Sequence, residues 1–531
     1  MNMHANHRST KTCPSYVGRS FMASFLALGA GVLFSGCEKV SDDTSPLPPR
    51  YVISTPSNDI FSKLDPLGSD ADVLSHSLST KNRAVAYLSE EALEALENEE
   101  GVNVELDQPR RLAAQNVPYG VPLIQADLVS DASSSNMTVC VIDSGFDLGH
   151  EDLPYDNVTG STDWRAGRWD EPGLSNSHGT HVAGTIAALN NQNGVVGVLP
   201  SGNVNLHIIK VFTKDGWAYS SDLSSAVGEC VENDANVINM SLGGDRATSF
   251  ERRALQRAYD SGVILVAAAG NDGDHENESL QTIAHYPASY DSVISVGAVD
   301  KYKNLGALSQ RGRWLELVGP GIDVKSTYVR GDGYNTSLRI EGRSLNSREM
   351  AGSKRGEVVT SIVSCGLGGS VCQNVSGKIC LMERGEFSFE HKVRNCEAGG
   401  GLGAIVYNNA PEELTGATLG DNSETVGIPA MTVSQADGLY LVSRLGYEVE
   451  FFVSPSDYET ISGTSMASPH VAGAIALVWS HFKECSNTQI RRAFAATAED
   501  LGARGRDHSY GYGLVQAKSA YNFLSNGCDG P

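Results

Sequence analysis

The sequence predicts an α/β protein, three layers deep around a mainly parallel central sheet, with a β-rich module inserted late in the chain and a small α+β unit ahead of it. Three features predict this. Short apolar runs rich in β-branched residues, at 137–142, 204–212, 237–240, 263–268 and 293–299, alternate with helical patterns such as 221–233 and 249–261, as in a parallel sheet covered on both faces. Polar or glycine-rich segments stand where these runs stop, at Asp143, Ser241 and Gly270-Asn271, and such sheets bind ligands at the carboxyl ends of their strands. After Thr327 more than a hundred residues, with strand-like runs at 378–382, 404–408, 428–433 and 448–453, precede Gly463.

The 531 residues, 40% hydrophobic and 19% charged, suffice for two or three domains with a large core. A net charge of -23 argues against a nucleic-acid partner, because phosphate contacts supply most of that affinity. At the start, Arg8, Lys11 and Arg19 precede an apolar run at 21–34, too short to span a bilayer and suited to an export signal. The run ends Leu33-Phe34-Ser35-Gly36-Cys37, which resembles a bacterial lipobox, with Phe34 where that pattern usually has leucine. Residues 1–36 are expected to be a lipoprotein-type signal peptide and Cys37 the lipidated residue. A Ser- and Pro-rich tether at 37–50 follows. The membrane would be met only through this anchor. The expected location is the outer membrane or cell surface of a bacterium, or the medium.

An exported chain can keep disulfides. Cys365, Cys372, Cys380 and Cys396 lie close enough in sequence for two bridges, with three connectivities open. Cys485 and Cys528 flank the last helices and are expected to pair. Cys140 sits in an apolar strand and Cys230 in a helical pattern, where buried free thiols are expected. In the first unit, 83–88 reads as a strand, 89–99 as a helix with Ser89 as N-cap, and 101–106 as a second strand.

Four segments carry chemistry. Val139-Cys140-Val141-Ile142-Asp143-Ser144-Gly145 puts an acid at a strand end. His178-Gly179-Thr180-His181 opens a helix of small residues. Ala267-Ala268-Ala269-Gly270-Asn271-Asp272-Gly273 follows another strand. Gly463-Thr464-Ser465-Met466-Ala467-Ser468-Pro469-His470 opens a second helix of small residues. Alone, each polar residue reads as a cap, a turn or a solvated side chain. Together, in the order Asp, His, Ser, they resemble the subtilases, the subtilisin-like serine peptidases. The resemblance implies that Ser465 is the nucleophile, His178 its base and Asp143 the orienter of that base. Asn271 would stabilise the oxyanion together with the Ser465 N–H. His181 and His470 would be packing residues.

The resemblance implies more. Ser241, Leu242 and Gly243, with Ala268, Ala269 and Gly270, would flank an extended substrate, and Asp272 would lie near the pocket before the scissile bond. Calcium would be held by side chains of Gln115, Asp152 and Asn191 and carbonyls of Leu189, Asn193 and Val195. No catalytic metal or organic cofactor is expected. Residues 51–113 resemble an inhibitory propeptide, cut near Ala113-Ala114. Residues 114–328 and 457–531 would form the peptidase domain. Gly399 to Asn409 and Gly427 to Met431 resemble a protease-associated domain, expected at 329–456. Protein or peptide substrates and the chain's own propeptide are the implied partners. A catalytically silent scaffold that binds a partner through the insert is the competing expectation.

Overall fold

The computed structural model describes residues 50–56, 60–64, 71–73, 82–88, 90–99, 101–106, 115–162, 166–172, 177–212, 216, 218–273, 282–411, 414, 417–420 and 426–530. The chain divides into two compact units, 1–111 and 112–531. In the first, β1 (Arg50–Ser54), β2 (Ala71–Val73), β3 (Arg83–Leu88) and β4 (Asn103–Leu106) form an antiparallel sheet in the order β2-β3-β1-β4, beside helices α1 (Phe61–Leu64) and α2 (Glu90–Glu97). Ile53, Ile60, Leu64, Ala84, Ala86 and Leu96 form its core. Strand β1 begins on the last residue of the expected tether. The signal segment, Cys37, the rest of the tether and the Ala113-Ala114 junction lie outside the described residues.

The second unit is built on seven parallel strands. They are β5 (Thr138–Asp143), β6 (Val158–Ser161), β7 (Asn205–Lys210), β8 (Val237–Met240), β9 (Ile264–Ala268), β10 (Val293–Val299) and β11 (Leu317–Pro320), in the order β11-β10-β9-β8-β5-β7-β6. Helices α3 (His178–Ala187), α4 (Ser220–Glu232) and α5 (Ser249–Asp260) alternate with them. Strands covered on both faces read as continuous apolar runs, and β5 shows why. Val139 and Val141 enter one buried cluster with Val182 and Ile186 of α3, while Cys140 and Ile142 enter the other with Leu223 and Val227 of α4. The connection leaving β5 runs toward the β6 edge and the one leaving β8 toward the β11 edge, which places β5 and β8 at the switch point where an open sheet offers a crevice.

After β12 (Val324–Thr327) comes an eight-stranded sheet of β13 (Gly333–Ile340), β14 (Arg343–Leu345), β15 (Ser347–Glu349), β16 (Gly356–Ser364), β17 (Ile379–Glu383), β18 (Gly403–Tyr407), β19 (Ala430–Val433) and β20 (Glu448–Ser456), with helices α6 (Phe389–Ala398) and α7 (Gln435–Val442). Its strands enclose cores of their own around Phe451, Ile405 and Met382. Gly333 and Ser456 are partners in the β13–β20 pairing, so the insert leaves and re-enters at one place. Strand β21 (Tyr458–Ile461) then pairs antiparallel with β12. Arg330 holds this root to the part built on the parallel sheet through Asp147, at 2.7 Å. Helices α8 (Thr464–Trp479), α9 (Asn487–Thr497) and α10 (Ala517–Leu524) end the chain. Among the described residues no helix is long and apolar enough to cross a membrane.

The expectation of free thiols at Cys140 and Cys230 is overturned: they form a disulfide with Cα atoms 5.8 Å apart. Cys230 lies on the buried stripe of α4 with Leu223, Ala226 and Val227, and the pleat turns Cys140 of β5 toward that stripe. Ninety residues separate the pair, so no local pattern announces it. The clustered cysteines pair as Cys365–Cys372 and Cys380–Cys396, and Cys485 pairs with Cys528. Peptide mapping without reduction should recover these four pairs. Replacing Cys140 and Cys230 together by alanine should lower unfolding stability by about 2–4 kcal/mol in a denaturant titration. Alkylation of either thiol in the native chain would contradict the assignment.

Candidate active site

Strand β5 delivers Asp143 fully buried. Its carboxylate accepts the Ser144 N–H at 2.7 Å and faces His178 Nδ1 at 2.8 and 3.0 Å through its two oxygens. His178 opens α3. The next residue explains how that helix comes so near: a Cβ on Gly179 would lie 2.3 Å from the Gly145 carbonyl oxygen. Glycine there lets the helix end seat on the turn after β5, where the Gly179 N–H donates to Ser144 Oγ at 2.9 Å. A third of the His178 side chain stays exposed. Burial opposes its charged form, but the charge and hydrogen bond of Asp143 outweigh burial and raise the imidazole above its ordinary 6.5.

The helix opened by the last of the four segments, Gly463 to His470, begins at Thr464, which places Ser465 in its first turn. Thr464 donates to Asn271 Oδ1 through both its N–H and its hydroxyl, each at 2.9 Å, and accepts the Gly270 N–H at 3.1 Å. Asn271 thus uses its oxygen to hold the helix start, which leaves Nδ2 as the atom able to donate into the cleft. Pro469 cannot donate the N–H that would bond the Ser465 carbonyl one turn back. Ser241 Oγ supplies the missing donor at 2.8 Å. Ser241 Oγ also contacts Ser468 Oγ at 2.8 Å and accepts from Asn239 Nδ2 at 2.9 Å, while Ser468 Oγ lies 3.0 Å from Asn239 Oδ1. Thr464, Asn239, Ser468 and Pro469 had no assigned role in the sequence. The one signal was a proline inside a helical pattern.

Ser465 Oγ donates to the Ser241 carbonyl at 3.1 Å, its one hydrogen bond among the described residues. The structure therefore joins Asp143 to His178 directly and Ser465 to the neighbouring strand end, with α3 and α8 packed together. His181 and His470 are held elsewhere. His181 Nε2 meets the Val324 carbonyl at 3.0 Å and His470 Nδ1 the Met466 carbonyl at 2.8 Å. Burial drives them down to about 3 and about 4, so both stay neutral packing groups near pH 7.

Beyond Ser241, no backbone hydrogen bond among the described residues uses the N–H or C=O of Leu242 or Gly243. Gly244 closes the edge by pairing both ways with Tyr286 at 2.8 Å. Across the gap, Ala268 ends β9, the Ala269 N–H bonds Val296, and Gly270 adopts φ +113°, a conformation that favours glycine.

A second cluster lies on the loop after α3. Gln115 Nε2 faces the carbonyls of Leu189 at 2.5 Å and Val195 at 3.0 Å and Asn191 Oδ1 at 3.5 Å. A half-turn of that amide would present its oxygen to the same three. Asp152 is fully buried, accepts the Val195 N–H through Oδ2 at 2.8 Å, and has no partner for Oδ1 among the described residues. The donor set is all oxygen with an orphaned carboxylate oxygen, which suits a hard divalent cation. Asn193 is drawn in through its N–H, 2.9 Å from Asn191 Oδ1.

The subtilase family model matches residues 134–352 and 444–513, and a PA domain model matches 349–441. Subtilisin DY of Bacillus licheniformis is 43% identical over 243 residues, 45% of this chain and 84% of that protein. Subtilisin E of Bacillus subtilis is 38% identical over 275 residues, 51% and 69% of the two chains. A psychrophilic subtilisin-like protease, Apa1 from the Antarctic psychrotroph Pseudoalteromonas sp. AS-11, superposes with a TM-score of 0.65 at 41% identity, covering 79% of this chain and 100% of its own.

An NMR titration of His178 should give a pKa above 6.5. Asp143→Asn should take it below 6.5, because burial then acts unopposed. A titration that Asp143→Asn does not move would break the pairing.

Proposed function

Because the chain belongs to the subtilase family, with a PA domain inserted in it, we propose that this serine peptidase is an exported endopeptidase that cuts extended polypeptides through an acyl-enzyme on Ser465. The observation that carries the reading is Asp143 bound to His178 Nδ1 at the start of α3, the helix that packs on the one whose first turn holds Ser465. With Nδ1 committed to the buried carboxylate, Nε2 is the nitrogen left to act as base. Turning Ser465 Oγ from the Ser241 carbonyl toward Nε2 readies it for attack, and catalytic contacts that are open in a free enzyme tighten with substrate. His178 takes the hydroxyl proton and returns it to the leaving amine, while Asp143 stabilises the imidazolium. Asn271 Nδ2 and the Ser465 N–H receive the oxyanion; one such side-chain donor is worth about 3 kcal/mol in a subtilisin. The open backbone edge at Leu242 and Gly243 suits a substrate added as a strand, with Ala268, Ala269 and Gly270 on its other side.

Gln115, Asp152 and Asn191, with the carbonyls of Leu189, Asn193 and Val195, would hold calcium, which would neutralise the Asp152 carboxylate and tie the N-terminal segment to the loop after α3. The first unit is read as a propeptide removed by the chain's own activity near Ala113-Ala114. Residues 1–36 are read as the export signal and Cys37 as the lipid-bearing residue.

A fluorophosphonate probe should label the processed chain; failure to label it, where a control subtilase reacts, would favour the silent scaffold. Ser465→Ala should accumulate unprocessed precursor and cut turnover by about 10⁶-fold, as the equivalent loss does in a subtilisin. Excess EDTA should lower the melting temperature by roughly 5 °C, and Asp152→Asn should abolish that response. An unchanged melting curve would remove the cation.

A further inference from the structure

We propose that a cavity between the 284–293 segment, the residues leading into β11 and helix α9 binds a small organic anion, with a flat apolar body and a carboxylate or phosphate head. Its wall contains none of Asp143, His178, Asn271 or Ser465, so the site is separate from the peptidase chemistry.

Charge is the first observation. The chain carries 63 acidic against 40 basic side chains, yet Arg313, Arg491, Arg492 and Arg506 line one cavity of about 600 Å³. Arg491 is already spent. Its Nε donates to Glu316 at 2.7 Å, and its other nitrogens reach the carbonyls of Asp291 at 2.9 Å and Val293 at 3.2 Å. The other three are not balanced. Arg313 is exposed, and its side chain has no hydrogen bond or ion pair among the described residues. Arg506 donates through Nη2 to two neutral carbonyls, those of Arg313 and Leu315, each at 3.1 Å, which leaves Nε and Nη1 as donors. Arg492 comes no nearer than 3.6 Å to Asp529, and both side chains are mostly exposed. With Glu316 committed to Arg491, these three arginines meet one further acidic side chain, Asp291, among the described wall residues.

The remainder of the wall is aromatic and holds orphaned donors. Tyr286, Tyr290, Trp314 and Tyr512 line the cavity. The rings of Tyr286 and Tyr290 lie 4.7 Å apart, and the Arg506 guanidinium stands 5.0 Å over the Tyr512 ring, a contact that fixes its plane. Ser289 Oγ and Trp314 Nε1 are buried with no hydrogen-bond partner among the described residues, and buried polar groups of that kind call for one. Guanidinium forks match planar carboxylates and phosphates. The volume falls in the range of small-molecule sites, which combine apolar walls with a few polar groups. A bare phosphate ion would use the arginines and leave the rings uncovered; an aryl carboxylate uses both.

Calorimetric titration of the wild-type protein at constant ionic strength tests this, with isophthalate and inorganic phosphate as probes. Isophthalate should bind saturably, with a dissociation constant of about 1 mM or tighter, and phosphate should bind about 10-fold more weakly. Arg313→Gln removes an exposed, unpaired side chain and leaves the fold intact; it should weaken isophthalate by about 10-fold, as should Arg506→Gln. Arg504→Gln, an exposed arginine outside the wall, should leave the affinity within about 2-fold. Absence of saturable isophthalate binding would overturn the proposal. So would equal weakening by Arg504→Gln, which would mean general charge attraction, or phosphate that binds as tightly as isophthalate, which would remove the organic ligand.

Discussion

Proline at position 469 leaves the Ser465 carbonyl without its helical donor, and the hydroxyl of Ser241 takes it at 2.8 Å. Much of the cleft depends on that exchange. A helix that bonded only to itself could slide or rotate against the sheet. This one is fastened at its first turn to the end of β8 through Ser241, Asn239 and Ser468, and to the end of β9 through Asn271 and Thr464. Ser241, Asn239, Ser468 and Thr464 are buried and their hydrogen bonds are met within this group and by Asn271; polar networks of this kind specify one arrangement of a core. Ser465 is therefore located by two strand ends and not by the helix alone. Preorganised sites need that type of support, because displacements of about 0.5 Å already weaken them.

Three histidines illustrate how one physical variable sorts identical side chains. His178, His181 and His470 all lie on helices of small residues and all meet the penalty of burial. Only His178 faces a carboxylate, and only its affinity for protons rises. The carbonyl partners of the other two favour a protonated ring but do not offset the lost hydration. Two of the three are thus locked neutral and one is left as a responsive base.

Much of this was legible in the sequence. The strands at 237–240 and 293–299 appear at the expected residues because a strand buried on both faces must be apolar throughout. Asp143, His178 and Ser465 were legible because each sits in a distinctive local setting. What was hidden depends on distance in the chain. The Cys140–Cys230 bond joins a strand to a helix whose relative placement no local pattern encodes. The insert strands β13 and β16 mix buried and exposed positions without strict alternation, so their periodicity is weak.

The neighbouring entry and exit of the insert, at Gly333 and Ser456, bear on the order of assembly. Strands β12 and β21 must meet across an interval of roughly 130 residues, and closing a flexible loop of that length costs about 3 kcal/mol more than closing one of a few residues. An insert that has already collapsed on its own cores presents its ends together and reduces the interval to a short connector. The nascent chain then gains most by letting this module ripen first, so that the last part of the host sheet and the Ser465 helix are recruited onto a closed hairpin instead of awaiting a chance encounter.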